Sequence, residues 1–149
     1  MPSTGSRKTA IESDGIESDG HLAHSMDFTR HARHLSLPQV GVEGVAKLAA
    51  ASVACIGAGG LGSPALLYLA AAGIGKLTII DDDIVELSNL QRQVIHSTAD
   101  VGMAKTESAK NRIVALDPNV EVVIHQQRLD AENCDELLAG HDVIIDGSD

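Results

Sequence analysis

Gly57-Ala58-Gly59-Gly60-Leu61-Gly62 sets Gly57, Gly59 and Gly62 in the spacing G-x-G-x-x-G. Glycines at these positions let a backbone approach phosphate oxygens, and the helix that follows turns its free N–H groups and partial positive charge toward them. Asp81, first of the run Asp81-Asp82-Asp83, is an acid that can accept hydrogen bonds from ribose hydroxyls. These residues serve ATP, NAD and FAD alike, and a tight β-α turn with glycines for packing would look similar. Asn89, Arg92 and Lys105 then add a polar donor and two cations. Arg92 can clamp a polyphosphate through paired N–H bonds, and Lys105 can act as a mobile point charge. Together they suit a triphosphate, whose charge exceeds that of a dinucleotide bridge. The bland alternative is a solvated loop with incidental charges.

Positioning such groups requires a particular order of elements. Ser52–Ile56 is an apolar run of strand type. The glycine turn follows, then an Ala/Leu-rich helix over 63–72 with Pro64 in its first turn, where a missing N–H costs least. Gly73 and Gly75 stop it, and a second strand over 77–80 ends at Asp81. The polar stretch 84–100 is irregular. A helix over 103–116 closes at Asp117-Pro118-Asn119. A strand over 120–125, a helix over 131–139 and a strand over 143–145 complete the series. This alternation predicts an α/β fold, a Rossmann-like parallel sheet with flanking helices. The sequence ends at a strand tip, Asp146-Gly147-Ser148-Asp149, where open α/β sheets carry ligand groups, so the domain is expected to be incomplete and part of a longer protein. Ahead of it, 27–48 reads as mostly helical, with Phe28, Ala32 and Leu35 on one face and Arg30 and Arg33 one turn apart. Pro38, Gly41 and Gly44 interrupt that pattern before a short helix over 42–50. The expected units are a disordered acidic tail at 1–26, a helical arm at 27–50 and an ATP-binding domain at 51–149.

Composition narrows the function classes. Eleven basic against 21 acidic residues give a net charge of −10, which argues against duplex nucleic acid as a partner. Aromatic residues are 1% of the sequence while hydrophobic residues are 44%, so the core must be aliphatic, as suits strands covered on both faces. Two cysteines do not make a disulfide scaffold. Cys55 reads as a small core residue and Cys134 as structural or exposed. The scattered histidines read as solvated or packing groups. With no apolar run long enough to span a bilayer and no signal pattern, the expectation is a soluble cytoplasmic protein with no membrane partner. The tail repeats Ile-Glu-Ser-Asp-Gly at 11–15 and 16–20, and such polar sequence buries too little apolar surface to offset its ordering entropy.

Four segments together resemble the ThiF/MoeB family of ubiquitin-activating-enzyme-like adenylyltransferases. They are Gly57 through Pro64, Asp81-Asp82-Asp83, Leu87-Ser88-Asn89-Leu90-Gln91-Arg92-Gln93 and Asp146-Gly147-Ser148-Asp149. The likeness runs from Phe28 to Asp149 in order and spacing. The Ser-Asn-Leu-Gln-Arg-Gln segment is specific, whereas the glycine motif alone is weak. The resemblance implies a nucleotide lying against Gly60 and its neighbours, ribose on Asp81, and a triphosphate on Asn89, Arg92 and Lys105. It implies Mg²⁺ on Asp149, and a homodimer in which Arg33 reaches into the partner's site. His31 stands where the family usually has Tyr or Phe. The implied reaction is attack of the C-terminal glycine carboxylate of a ubiquitin-like sulfur carrier on the α-phosphate of ATP, in a molybdenum-cofactor, thiamine or tRNA-thiolation pathway. The family's paired Cys-x-x-Cys zinc motifs are absent here, so zinc is expected only in a longer parent chain, as is the catalytic cysteine. The 149 residues by themselves are therefore expected to adenylate little or not at all. The alternatives are the nucleotide-binding domain of an NAD(P)- or FAD-dependent oxidoreductase, and a scaffold that binds a ubiquitin-like partner without ATP chemistry.

Overall fold

The computed structural model describes residues 29–148; the expected tail, Phe28 and Asp149 lie outside them. The described residues open with two helices, α1 (Ala32–Leu35) and α2 (Gly41–Ala50). Strand β1 (Ser52–Ile56) leads through the glycine turn into α3 (Gly62–Ala72), and β2 (Lys76–Ile80) follows. Two single-turn 3-10 helices, Leu87–Asn89 and Thr98–Asp100, punctuate the long connection to α4 (Lys105–Leu116). Strand β3 (Glu121–His125), α5 (Cys134–Leu138) and β4 (Val143–Asp146) complete the described chain.

The strands form one parallel sheet in the order β3-β2-β1-β4. The chain steps outward from β1 to β2 to β3, then returns to place β4 on the other side of β1. The C-terminal ends of β1 and β4 therefore mark the point where strand order reverses, and open α/β sheets bind ligands in the crevice formed there. Helices α3 and α4 pack against each other, and α4 lies against β3. The core is aliphatic, as the scarcity of aromatics requires: Leu66, Leu77, Ile79, Ile95 and Ile113 are almost completely buried. Each such side chain contributes roughly 1.5–3 kcal/mol relative to exposure. Among the described residues no helix is long and apolar enough to cross a membrane.

The arm is α-helical over 32–35 and 41–50 with turns between, and Ala32, which periodicity puts on one face with Leu35, is exposed. His31 is the buried residue instead, at 8% exposure, and its ring stacks on that of His34 with centroids 5.8 Å apart. The ring lies against Gly73, where an added Cβ would come within 2.6 Å of it. Gly73 is the left-handed cap of α3 (φ +87), so one glycine both ends that helix and receives the imidazole. Arg30 fastens the arm to the far end of α4: its Nη1 donates to the Leu116 carbonyl at 3.1 Å, and its Nε lies 3.6 Å from the Asp117 carboxylate.

Gly75 sets the approach of α2 to the sheet, because its missing Cβ would sit 2.0 Å from the Ala49 carbonyl oxygen. Gly75→Ala is expected to destabilise the fold by about 3 kcal/mol, since backbone on both sides must move. Gly140→Ala, where nothing lies within 4 Å, is expected to cost only the strain of its left-handed backbone, about 1–2 kcal/mol. Urea denaturation of the two variants measures the difference, and equal losses would contradict this account.

Candidate functional site

A cleft of about 640 Å³ opens at the strand-order reversal. That volume lies within the range of about 300–1,000 Å³ usual for small-molecule sites. The glycine turn forms one wall. Gly57 leaves β1 with φ +86, a conformation that favours glycine, and a Cβ there would meet the Gly147 carbonyl at 3.0 Å. A Cβ on Gly62 would lie 1.9 Å from the Gly57 oxygen, and one on Gly147 would lie 3.0 Å from the Gly62 nitrogen. The β1-α3 turn and the segment after β4 thus touch through three glycines with no space for a side chain. Gly59 and Gly60 are looser, and face the side chains of Gln93 and Arg92 at 3.5–3.6 Å. Ser63 N–H bonds back to the Gly59 carbonyl and Gly57 N–H to Ile80. Among the described residues, the N–H groups of Gly59, Gly60 and Leu61 meet no acceptor.

The remaining peptide of the turn, at Ala58, is held from both sides. Its N–H donates to Asp81 Oδ2 at 2.7 Å. Its carbonyl accepts from His96 Nε2 at 2.9 Å and from the Ser63 hydroxyl at 3.3 Å. A carbonyl can only accept, so Nε2 carries the proton, and in the neutral ring Nδ1 accepts from Ser108 Oγ at 2.8 Å. His96 is buried, and burial above all holds its pKa below the ordinary 6.5. Asp81 Oδ1 accepts the Asp83 N–H at 2.8 Å, so this carboxylate joins the glycine turn to the segment after β2. Its oxygens keep further acceptor capacity for ribose hydroxyls.

The two cations arrive by different routes. Backbone bonds Lys105 N–H to Asp83, Val85 N–H to Met103 and Gly102 N–H to Val85 pair the chain around 83–85 with that around 102–105. Lys105 is thereby buried at 6% exposure, and its Nζ sits 2.8 Å from Asp83 Oδ2. Arg92 stands on the turn that ends the first 3-10 helix. Asn89 Oδ1 accepts the Glu86 N–H at 3.1 Å and, with the Glu86 side chain, caps that helix. Asn89 therefore shapes the loop that carries Arg92, and its amide nitrogen keeps its donors. Arg92 is exposed, lines the cleft over Gly60 and makes no ion pair among the described residues.

Gly57, Gly59, Gly60, Asp81, Asn89, Arg92 and Lys105 all line this one cleft. Gly62 supports it from beneath. Arg33 is exposed on α1 and is not among the cleft residues, and Asp149 lies outside the described residues although its neighbour Ser148 lines the cleft. Gln93, Arg128 and Asp146 also line it; sequence reasoning quoted Gln93 and Asp146 within the resembling segments but gave none of the three a role. Arg128 and Gln93 stand in segments that read as loop, and only tertiary structure brings them to the glycine turn. Asp146 is at a strand end, which is a usable signal; the Ser148 hydroxyl and N–H hold its carboxyl below the usual carboxylate range. Cys55 behaves as read: it is buried, and burial with the Asp81 and Asp146 charges pushes its thiol up to about 11. Asp81, Asp82 and Asp83 cluster within 4.8 Å, but two carboxylates there are committed to Ala58, Asp83 N–H and Lys105.

Comparison with known proteins gives a consistent set of relatives. The ThiF family model matches residues 31–149. A probable adenylyltransferase/sulfurtransferase MoeZ of Mycobacterium tuberculosis is 51% identical over 83% of this chain and 31% of its own length. A probable molybdopterin-synthase adenylyltransferase of Porphyra purpurea is 48% identical over 83% of this chain and 32% of its own length. The chain thus spans about a third of the length of these curated relatives. Among solved structures, Escherichia coli tRNA N6-threonylcarbamoyladenosine dehydratase in complex with ATP superposes with a TM-score of 0.77 at 31% identity, covering 82% of this chain and 50% of that one.

The His96 clamp has a pH signature. The unfolded chain protonates this histidine near 6.5, whereas the folded chain does so only at lower pH. Stability is therefore complete above 6.5 and falls as pH drops through the folded value, by at most about 1.4 kcal/mol per pH unit for this group. His96→Gln is expected to cost about 2 kcal/mol at neutral pH and to flatten the decline seen by urea denaturation between about pH 7.5 and 5. An unchanged slope in the variant would remove His96 as its source.

Proposed function

The chain belongs to the ThiF family, and from that premise we propose that it forms the nucleotide-binding part of an ATP-dependent adenylyltransferase. Its substrate is the C-terminal glycine of a ubiquitin-like sulfur-carrier protein. The observation that carries this is the meeting of unpartnered N–H groups at Gly59 and Gly60 with Arg92 and Lys105 around one cleft. Backbone donors and two cations suit three phosphates better than the two of a dinucleotide. The names of the relatives support the same class, one being an adenylyltransferase/sulfurtransferase and another a molybdopterin-synthase adenylyltransferase.

In this reaction a carboxylate oxygen of the carrier attacks the α-phosphorus. The new C–O–P linkage forms as the bond from that phosphorus to the bridging oxygen breaks, and the electron pair leaves with pyrophosphate. The attacking group is already ionised at pH 7 and needs no general base. Catalysis then rests on positioning and on neutralising phosphate charge. Free N–H groups of the glycine turn receive phosphate oxygens, and Asp81 accepts from the ribose. Arg92 takes the terminal phosphates as a fork, and Lys105 leaves part of its pairing with Asp83 to meet them. Asn89 fixes the Arg92 loop and turns its amide donors to the triphosphate. Asp149, next in sequence to the cleft-lining Ser148, offers the hard oxygen ligand that Mg²⁺ prefers; the ion, when bound, offsets charge on the phosphates. Arg33, exposed on α1, completes the site of a second copy in a homodimer. The carrier belongs to a molybdenum-cofactor, thiamine or tRNA-thiolation system, and the chemistry takes place in the cytoplasm.

Isothermal titration of this chain with Mg-ATP and with NAD tests the proposal. ATP is expected to bind and NAD is not. Arg92→Ala and Lys105→Ala are each expected to weaken ATP by about tenfold or more, the scale of a charge-assisted hydrogen bond. NAD binding indifferent to Arg92→Ala would replace this function with that of a dinucleotide-dependent oxidoreductase.

A further inference from the structure

Among the described residues four side chains hold a buried polar atom without a partner, those of His31, His34, Gln93 and Thr106, and of these only Gln93 lines the cleft. It is 3% exposed, and its Oε1 is completely buried with no hydrogen-bond partner among the described residues. Its backbone is ordinary, the N–H donating to Asn89 and the carbonyl accepting from His96, so the loop does not need the carboxamide to close. Yet the side chain lines the cleft, and Nε2 lies 3.6 Å from where a Gly59 Cβ would stand. Arg92 and Gln93, adjacent in sequence, thus cover Gly60 and Gly59, adjacent in the turn. A buried amide without partners disfavours the free state, and hydrocarbon of the same shape would remove that penalty.

We propose that Gln93 is a further nucleotide-binding residue whose partners arrive with the ligand. This rests on the proposed ATP site. The amide Nε2 donates to a phosphate oxygen lying on the Gly59 and Gly60 N–H groups, giving a neutral donor beside the Arg92 cation. Oε1 needs a donor, which phosphate oxygens at neutral pH cannot provide. Closed to solvent in the free chain, Oε1 would gain one when the carboxamide turns toward the ligand, from water that a phosphate-bound divalent cation would carry. Gln93 therefore reads the cation-loaded triphosphate, and contributes nothing to recognition of the nucleoside.

The measurements are ATP affinity, with magnesium and with chelator, and denaturant stability without ligand, for the unsubstituted chain, Gln93→Leu and Arg92→Ala. Gln93→Leu is expected to bind Mg-ATP about tenfold more weakly, to lose less affinity in chelator, and to keep adenosine affinity. Its ligand-free stability is expected to be equal or higher, because an unsatisfied buried oxygen is gone. A purely structural glutamine gives the opposite pattern, lower stability with affinity intact, and that result overturns the inference. Weakened Mg-ATP binding in Arg92→Ala with none in Gln93→Leu overturns it alone. Failure of the unsubstituted chain to bind ATP overturns it together with the proposed function.

Discussion

The structure of the cleft depends on one peptide group. Ala58 is held at its N–H by Asp81 and at its carbonyl by His96 and Ser63. These three residues come from the end of β2, the loop before α4 and the first turn of α3. The orientation of one peptide plane therefore ties the glycine turn to these three segments. With the Ala58 N–H fixed inward on a carboxylate, the next three N–H groups lie along the start of a helix with no internal acceptor. Unpaired backbone donors are costly when buried, and here Gly59 and Gly60 line the cleft. The proposed anion site is thus open through charge and geometry, with hydrogen bonds that the free chain leaves unmade.

Steric closeness completes what the clamp begins. Gly57, Gly62 and Gly147 meet backbone to backbone, so β4 and the β1-α3 turn approach more closely than side chains would allow. The strand-order reversal between β1 and β4 creates the crevice, and these glycines set its depth. Their spacing in sequence is thus a record of contacts and not of flexibility alone. Gly60 differs, since the nearest atoms to it belong to the Arg92 side chain and not to backbone; there the absent side chain leaves surface for a ligand.

The strands were legible because each is a short aliphatic run with turn residues on both sides, and β1 agrees with its sequence prediction to the residue. Helix starts were less so, for reasons visible in the structure. The start of α5 is delayed from 131 to Cys134 because Asp130 and Asn133 exchange side-chain bonds with the intervening backbone and hold it as a turn. The start of α4 is delayed from 103 to Lys105 because 102–105 is spent pairing with 83–85. In the arm, apolar periodicity pointed to Ala32, whereas a histidine took the buried position through its fit to Gly73. Of the site, the glycines, Asp81, Arg92 and Lys105 were readable from residue type and order. His96 and Gln93 were not, because their roles exist only across long sequence separations. A histidine that hydrogen-bonds a carbonyl 38 residues earlier leaves no local pattern.

A net charge of −10 and the proposed anionic ligand are reconciled at this scale. Overall charge acts through a field that salt screens within about 8–10 Å, whereas the cleft offers donors at contact distance. Lys105 shows how an acidic chain keeps a buried cation there. Asp83 neutralises it at 2.8 Å, and because that carboxylate is 66% exposed, it can return to water when a phosphate takes its place. In the proposed binding one ion pair replaces another around an ammonium that the fold already buries, so little of the desolvation cost of a buried charge recurs. Arg92, exposed and without an ion-pair partner, has no such reserve and gains its full pairing only with the ligand. The two cations thus divide the work. One is stored in the fold and makes the loop that holds it. The other is left free over Gly60, where no side chain competes for the phosphate.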